Sequence, residues 1–247
     1  MTTDNPAPAA PIEAETSCPR CAKPLPLCVC DQVVPVAARL SLVVLMHPQE
    51  QDKALATARL AVQHIRNAVL KIGLSWPSLS KILGREVDPQ RWAVLYLGSV
   101  DVKSLHSESG VVAVDRKGLP EPDQARALRG IEGVIVLDGT WSQAKTLWWR
   151  NPWLLKCRRV VLTPKQPSRY GRLRREPRRE GLSTIEAAAM LMAALERRPE
   201  IEAAMLKSFD AMLGAYRAAM PELAPKPRRR PQRRRRTTAG KPDSKAV

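Results

Sequence analysis

The chain has 247 residues, 44% of them apolar, and a formal charge of +17. That length suffices for one sizeable α/β domain with appendages, and no stretch approaches the roughly 20 apolar residues that span a bilayer. The start lacks the basic stretch and apolar run of a secretory signal, so a soluble cytoplasmic protein is expected, with reduced thiols and no membrane partner.

Residues 1–17, rich in Ala and Pro and net acidic, read as disordered. Residues 18–30 hold four of the five cysteines, as Cys18-Pro-Arg-Cys21 and Cys28-Val-Cys30. Four thiolates so close in sequence can close a tetrahedron around structural zinc, and a reducing compartment disfavours disulfides. An iron–sulfur centre or a redox pair would use the same residues. A metal with four protein ligands has no open position, so it would order the segment and do no chemistry. Cys157 stands apart and reads as an inert buried thiol.

Residues 31–222 carry the strand and helix patterns. Residues 40–46 read as a buried strand closed by His47-Pro48. Over 55–70 the apolar residues cluster on one helical face, with Gly73 as the stop. Residues 92–97 and 111–114 read as strands, 122–129 as a short helix, and 133–137 as the strand that delivers Asp138. Thr140 is placed to N-cap a helix over 141–150, and residues 159–162 form another strand. Ser183 or Thr184 caps a final helical region, 185–220, broken around Pro199. Strands alternating with helices specify an α/β fold, a mostly parallel sheet covered by helices. Ligands bind such sheets at the loops beyond the carboxyl ends of the strands.

The positive charge lies in two blocks. Residues 156–179 hold ten Lys/Arg against Glu176, and residues 226–247 hold ten against Asp243, each net +9. Arg172, Arg174, Arg175, Arg178 and Arg179 are too dense for a core and read as phosphate contacts. Residues 223–247 are a disordered Pro/Arg tail, either a solubilising extension or an RNA-binding one.

Asp138, at the end of a buried strand among apolar neighbours, could hold a raised pKa and accept a proton. It could equally cap the following helix or order its own turn. His47 and Glu50, which follow a strand, have two uses open, a capped turn and contact with RNA or cofactor. Trp148, Trp149 and Trp153 read as packing the helix on the sheet, with one of them able to reach a nucleic-acid surface.

Three separated segments resemble the DTW-domain family. The strand, loop and helix start Val134-Ile-Val-Leu-Asp138-Gly-Thr-Trp141-Ser-Gln-Ala-Lys145 is similar to its Asp-Thr-Trp signature. Leu182-Ser-Thr-Ile-Glu-Ala-Ala188, preceded by the Arg-rich run 170–179, resembles its Leu-Ser-Thr-x-Glu-Ala block. The Cys18–Cys30 cluster, with His47-Pro48-Gln49-Glu50 and Thr57, resembles its N-terminal part. The chain departs from the family pattern at Ala56, where Asn is common, and at Tyr96-Leu97-Gly98, where Tyr-Pro is common.

The resemblance implies a SPOUT-like fold with a C-terminal trefoil knot, which periodicity could not suggest. It implies a tRNA-uridine aminocarboxypropyltransferase: the 3-amino-3-carboxypropyl group of S-adenosylmethionine moves to N3 of a uridine, in the variable loop in bacterial members, and methylthioadenosine leaves. Asp138 would be the base. Tyr96, Leu97, Gly98, Leu137, Gly139, Thr140, Trp141, Ser183 and Thr184 would hold the S-adenosylmethionine, glycine admitting close backbone approach and helix starts favouring its carboxylate. Trp141 has two uses open, stacking on a base and packing in the core. The partner would be tRNA, bound by a monomer or a homodimer. Two other functions use the same features: a methyltransferase that puts the methyl carbon in line, and a zinc-bearing RNA-binding protein without catalysis.

Overall fold

The structure, a computed structural model, describes residues 17–95, 100, 105, 107–171, 173–174 and 181–219. Among the described residues six strands form one sheet: β1 (Ser41–Met46), β2 (Ala68–Ile72), β3 (Trp92–Leu95), β4 (Val111–Val114), β5 (Gly133–Asp138) and β6 (Arg158–Leu162). Their order is β2-β1-β5-β3-β6-β4, parallel throughout except for the edge pair β6/β4. β5 is buried at every position and β1 at all but its first, as expected for parallel strands covered on both faces.

Side chains alternate along these strands between two cores. Leu42, Val44, Val134 and Val136 pack under α1 (Ala58–Gln63), α5 (Thr184–Glu196) and α6 (Pro199–Ala219). Val43, Leu45, Ile135 and Leu137 pack under α2 (Leu79–Leu83) and α4 (Trp141–Arg150). A further short helix, α3 (Gln124–Leu128), lies against β4. Gly133 is needed because Trp92 of the neighbouring strand lies flat against it: a Cβ there would sit 2.4 Å from the indole.

The adjacent strands β1 and β5 feed helices on opposite faces, α1 and α4. The crevice between their carboxyl ends is therefore the switch point at which doubly wound sheets bind ligands. His47 follows β1 there, and Asp138 ends β5.

The helix expected over 55–70 is corrected. It covers only Ala58–Gln63, and Ala68–Ile72 is an edge strand paired to β1 in register from Leu42↔Ala68 to Met46↔Ile72. A short apolar run satisfies helical and strand periods alike, and the free edge of β1 decides it. Helix α2 was not foreseen; Ser78 caps it, accepting from Lys81 N–H at 3.2 Å, and left-handed Gly84 ends it. The final helical region divides as expected. Arg198 precedes Pro199 and is steered away from helical backbone, so α5 stops at Glu196 with Arg197 left-handed (φ 56°). Among the described residues no helix is long and apolar enough to cross a membrane.

Candidate active site

Asp138 is the last residue of β5, and the alternation that sends Leu137 under α4 turns Asp138 towards α5. Its Oδ1 accepts a hydrogen bond from Thr184 Oγ1. Oδ2 is buried with no hydrogen-bond partner among the described residues. The residue is 7% exposed. Burial pushes its carboxyl up to about 6; Thr184 pulls it down, Glu50 pushes it up, and Arg174 and Lys53 pull it down. A carboxylate of this kind is charged at neutral pH, has one lone-pair edge unspent, and can take a proton.

The loop after β1 supplies a second carboxylate, Glu50, for which the sequence leaves open a capped turn and contact with RNA or cofactor. The turn itself is as expected: His47 N-caps Pro48–Glu50, its Nδ1 accepting from Gln49 N–H at 3.3 Å, and its own N–H bonds the Asp138 carbonyl at 2.9 Å. Glu50, only 1% exposed, is ion-paired to Lys53 and, at 3.6 Å, to Arg174. Arg174 also lies over the Tyr170 ring, 5.5 Å from its centroid. The one Arg of the predicted phosphate set that is described thus belongs to the wall of the site. An acid directly beyond a buried strand was the available signal for Glu50.

The N-terminus of α5 closes the site. Ser183 and Glu186 form a capping box, and Glu186 also accepts from Ser168 Oγ and from Arg169 N–H, both at 2.7 Å. Buried Thr57 accepts from Ile185 N–H at 3.2 Å, satisfying a donor of the first helical turn. Tyr170, buried, donates its hydroxyl to the Leu55 carbonyl at 2.6 Å and packs edge-on against Phe209. The loops that follow β1, β5 and β6 therefore meet at one place.

The loop Gly139-Thr140-Trp141 opens α4 as expected, with a capping box between Thr140 and Gln143. Glycine at 139 is a close-approach requirement, since a Cβ would lie 2.8 Å from Gln143 Cβ. Gln143 Nε2 reaches Gln49 Oε1 at 3.0 Å and joins this loop to the one after β1. Trp141 is half-buried, with Lys145 Nζ 5.5 Å from its ring centroid. Thr184 is thus brought to Asp138, whereas the Ser183 hydroxyl is taken up by Glu186 and the Leu137 side chain by the core under α4. Tyr96, Leu97, Gly98, Arg172, Arg175, Arg178 and Arg179 lie outside the described residues, as do the expected disordered segments except Ser17. A separate cavity of about 560 Å³, between β4, α3 and the end of α5, is lined by none of the predicted site residues.

The cysteines of residues 18–30 are all free and gathered into one cluster that could hold a metal ion, their Sγ atoms lying within 4.8 Å of one another. A tight turn makes the first pair, with Cys18 N–H bonded to Lys23 O at 2.8 Å, Ala22 N–H to Cys18 O at 2.7 Å, and Ala22 at φ 56°. Cys21 backbone hydrogen bonding, the largest influence, brings the Cys18 thiol down to about 6, whereas burial pushes the Cys21 and Cys30 thiols up. Lys23, buried beside the cluster, donates to the Ala54 carbonyl and so ties this segment to the loop that carries Glu50 and Thr57. Cys157 is buried as expected, its thiol pushed up to about 12 by burial.

The sequence model of the DTW domain matches residues 15–217. The chain belongs to the DTW-domain family. Its DTW domain is similar to proteins named tRNA-uridine aminocarboxypropyltransferase 2. The Drosophila melanogaster relative is 29% identical over 206 residues, covering 81% of this chain and 74% of that protein. Those of Macaca fascicularis and Mus musculus are 25% and 27% identical over 207 and 209 residues, covering 83% of this chain in each case. The chain spans 65% of the length of these last two. No solved structure matches the chain.

Proposed function

We propose that this DTW-domain chain is a tRNA-uridine aminocarboxypropyltransferase, moving the 3-amino-3-carboxypropyl group of S-adenosylmethionine to N3 of a tRNA uridine and releasing methylthioadenosine. The observation that carries the reading is the Asp138 carboxyl at the β1/β5 switch point, held through Oδ1 by Thr184 and, among the described residues, unpartnered at Oδ2. Uridine N3 is protonated at neutral pH and must lose that proton to become a nucleophile. In the reaction Oδ2 takes the N3 proton, the new N3–carbon bond forms as the carbon–sulfur bond breaks, and the sulfonium becomes a neutral thioether. A pKa of about 6 leaves Asp138 charged at pH 7 while making it a stronger base than an ordinary carboxylate.

Under this reading Gly139, Thr140 and Trp141, the Leu137 backbone, the start of α5 at Ser183-Thr184, and Tyr96-Leu97-Gly98 hold S-adenosylmethionine. Arg172, Arg174, Arg175, Arg178 and Arg179 serve the tRNA phosphates, with Arg174 first paired to Glu50. The four cysteines hold zinc: Zn–S bonds of about 2.3 Å set tetrahedral sulfurs about 3.8 Å apart, and the Cys18–Cys30 and Cys21–Cys28 sulfurs are 3.9 Å apart. The reading also takes the fold as SPOUT-related, with a C-terminal trefoil knot, and the protein as cytoplasmic.

The test is nucleoside mass spectrometry of unmodified tRNA incubated with the purified chain and S-adenosylmethionine. An aminocarboxypropyl adduct on uridine, with methylthioadenosine released, is expected. A methyl adduct with S-adenosylhomocysteine would overturn the reading in favour of a methyltransferase, and no adduct at all would leave an RNA-binding role.

A further inference from the structure

Beyond Trp141, helix α4 leaves the candidate site carrying an aromatic and basic surface, Lys145, Trp149 and Arg150, that the proposed chemistry does not use. Its inner face is committed, with Ala144, Leu147 and Trp148 buried under the sheet. On its outer side Trp141, Lys145 and Trp149 follow one another at i, i+4 and i+8, neighbours along a helix surface. Trp149 is 75% exposed, whereas Trp148 beside it is 9% exposed. Lys145 and Arg150 are exposed, and neither is ion-paired among the described residues.

The electrostatic setting points the same way. Between Gly139 and Arg175 the sequence holds ten Lys/Arg and no Asp or Glu. Several are used within the protein: Arg158 bonds the Ala127 and Arg129 carbonyls, Arg169 pairs with Asp210, and Arg174 pairs with Glu50. Lys145, Arg150, Lys156 and Lys165 remain exposed. An indole and a lysine side by side, on a stretch of chain without acidic residues, suit a polyanion with open ring faces, because base stacking needs the ring and the phosphates need the charge. Bases offer such faces where they are unpaired, as in the loops of a folded RNA.

We infer that the outer side of α4 beyond Trp141, Lys145–Trp149–Arg150, is a docking track for unpaired tRNA nucleotides flanking the target uridine, Trp149 stacking on a base and Lys145 and Arg150 meeting phosphates. The inference rests on the reading of the chain as acting on tRNA. At a rise of about 1.5 Å per residue, Trp149 stands about 12 Å along the helix from Trp141, which itself lies three residues beyond Asp138. The stacked nucleotide is therefore a neighbour in the same loop and not the reacting base.

The test uses the full chain with a labelled unmodified tRNA transcript, a single-stranded uridine-rich oligonucleotide and a fully paired RNA duplex, all titrated by anisotropy at several salt concentrations. Trp149→Ala is expected to weaken binding of the tRNA and the single strand about tenfold with an unchanged salt slope and an unchanged duplex affinity. Trp149→Phe should recover most of the loss. Lys145→Ala should reduce the salt slope by about one. Unaltered tRNA affinity in Trp149→Ala overturns the inference, including the case in which sedimentation shows that the substitution breaks a dimer. An equal loss on duplex RNA, which offers no open base face, overturns it as well. Nucleoside analysis separates the two readings. Modification by wild type and by Trp149→Ala alike at limiting tRNA sinks the ridge and leaves the reaction standing. Lost binding in the variant with no adduct from either protein does the reverse.

Discussion

Replacing Asp138 with Asn should remove transfer and at the same time raise the stability of the variant relative to wild type as pH rises. The raised pKa is a statement about folding: the native state holds this proton more tightly than the unfolded chain does. Below pH 3.8, the ordinary value, both states are protonated and burial of the neutral acid carries no charge penalty. As pH rises towards about 6 the unfolded chain ionises freely and the native state does not, so wild type loses stability across that window. Two units at about 1.4 kcal/mol each give a full penalty of about 3 kcal/mol above pH 7, against less than about 1 kcal/mol at pH 4. Asn keeps an acceptor for Thr184 and carries no charge; the cost of its unpartnered amide, about 1–3 kcal/mol, does not depend on pH. Urea unfolding of both proteins at pH 4, 5, 6, 7 and 8 should therefore show the Asp138→Asn variant gaining on wild type steadily to pH 7 and levelling off. A stability difference flat with pH would refute the buried-carboxylate argument, and near-wild-type turnover by the variant would remove Asp138 as the base.

Glu50→Gln deletes a charge that pushes Asp138 up and leaves Lys53 and Arg174 to pull it down. The acid limb of the kcat/KM–pH profile should move to lower pH, and an unmoved limb would show that Glu50 does not act on Asp138. Cys21→Ser should leave the chain without the single zinc ion expected for four thiolates, measured by elemental analysis, with a lower Tm; iron in the wild-type protein would overturn the zinc assignment. Tyr170→Phe keeps the ring against Phe209 and strands the Leu55 carbonyl, so a loss of about 1–3 kcal/mol in unfolding free energy is expected. A negligible loss would mean that the bond does not hold Tyr170 to the loop after β1.

Much of the fold was readable because its signals are local. Buried parallel strands show as apolar runs, and the starts of α4 and α5 show as Thr140 with Gln143 and Ser183 with Glu186, three residues apart as a capping box requires. Where the reading failed, over 64–72, the sequence offered no local asymmetry: the helical stripe continues into residues that become an edge strand because β1 has a free side to pair. At the site, Asp138 and Thr184 were both singled out, but their contact was not, and Arg174 was read as a phosphate ligand because its density among arginines was visible while Glu50 across the crevice was not. Trp149 is one of three tryptophans that the sequence assigns to packing while leaving one of them for a nucleic-acid surface; only burial separates it from Trp148.

By itself the sequence determined the strand-turn-helix at Asp138, the caps, the gathering of four cysteines and the family, since each depends on backbone sterics, patterning or residue type over a short span. Only the tertiary structure decided that Asp138 shares a crevice with Glu50, Thr57, Tyr170 and Thr184. The bonds that join these elements link positions 46 to 128 residues apart. They exist because β1 and β5 pair in parallel register and send their chains to opposite faces of the sheet, a relation between strands that neither strand's sequence contains.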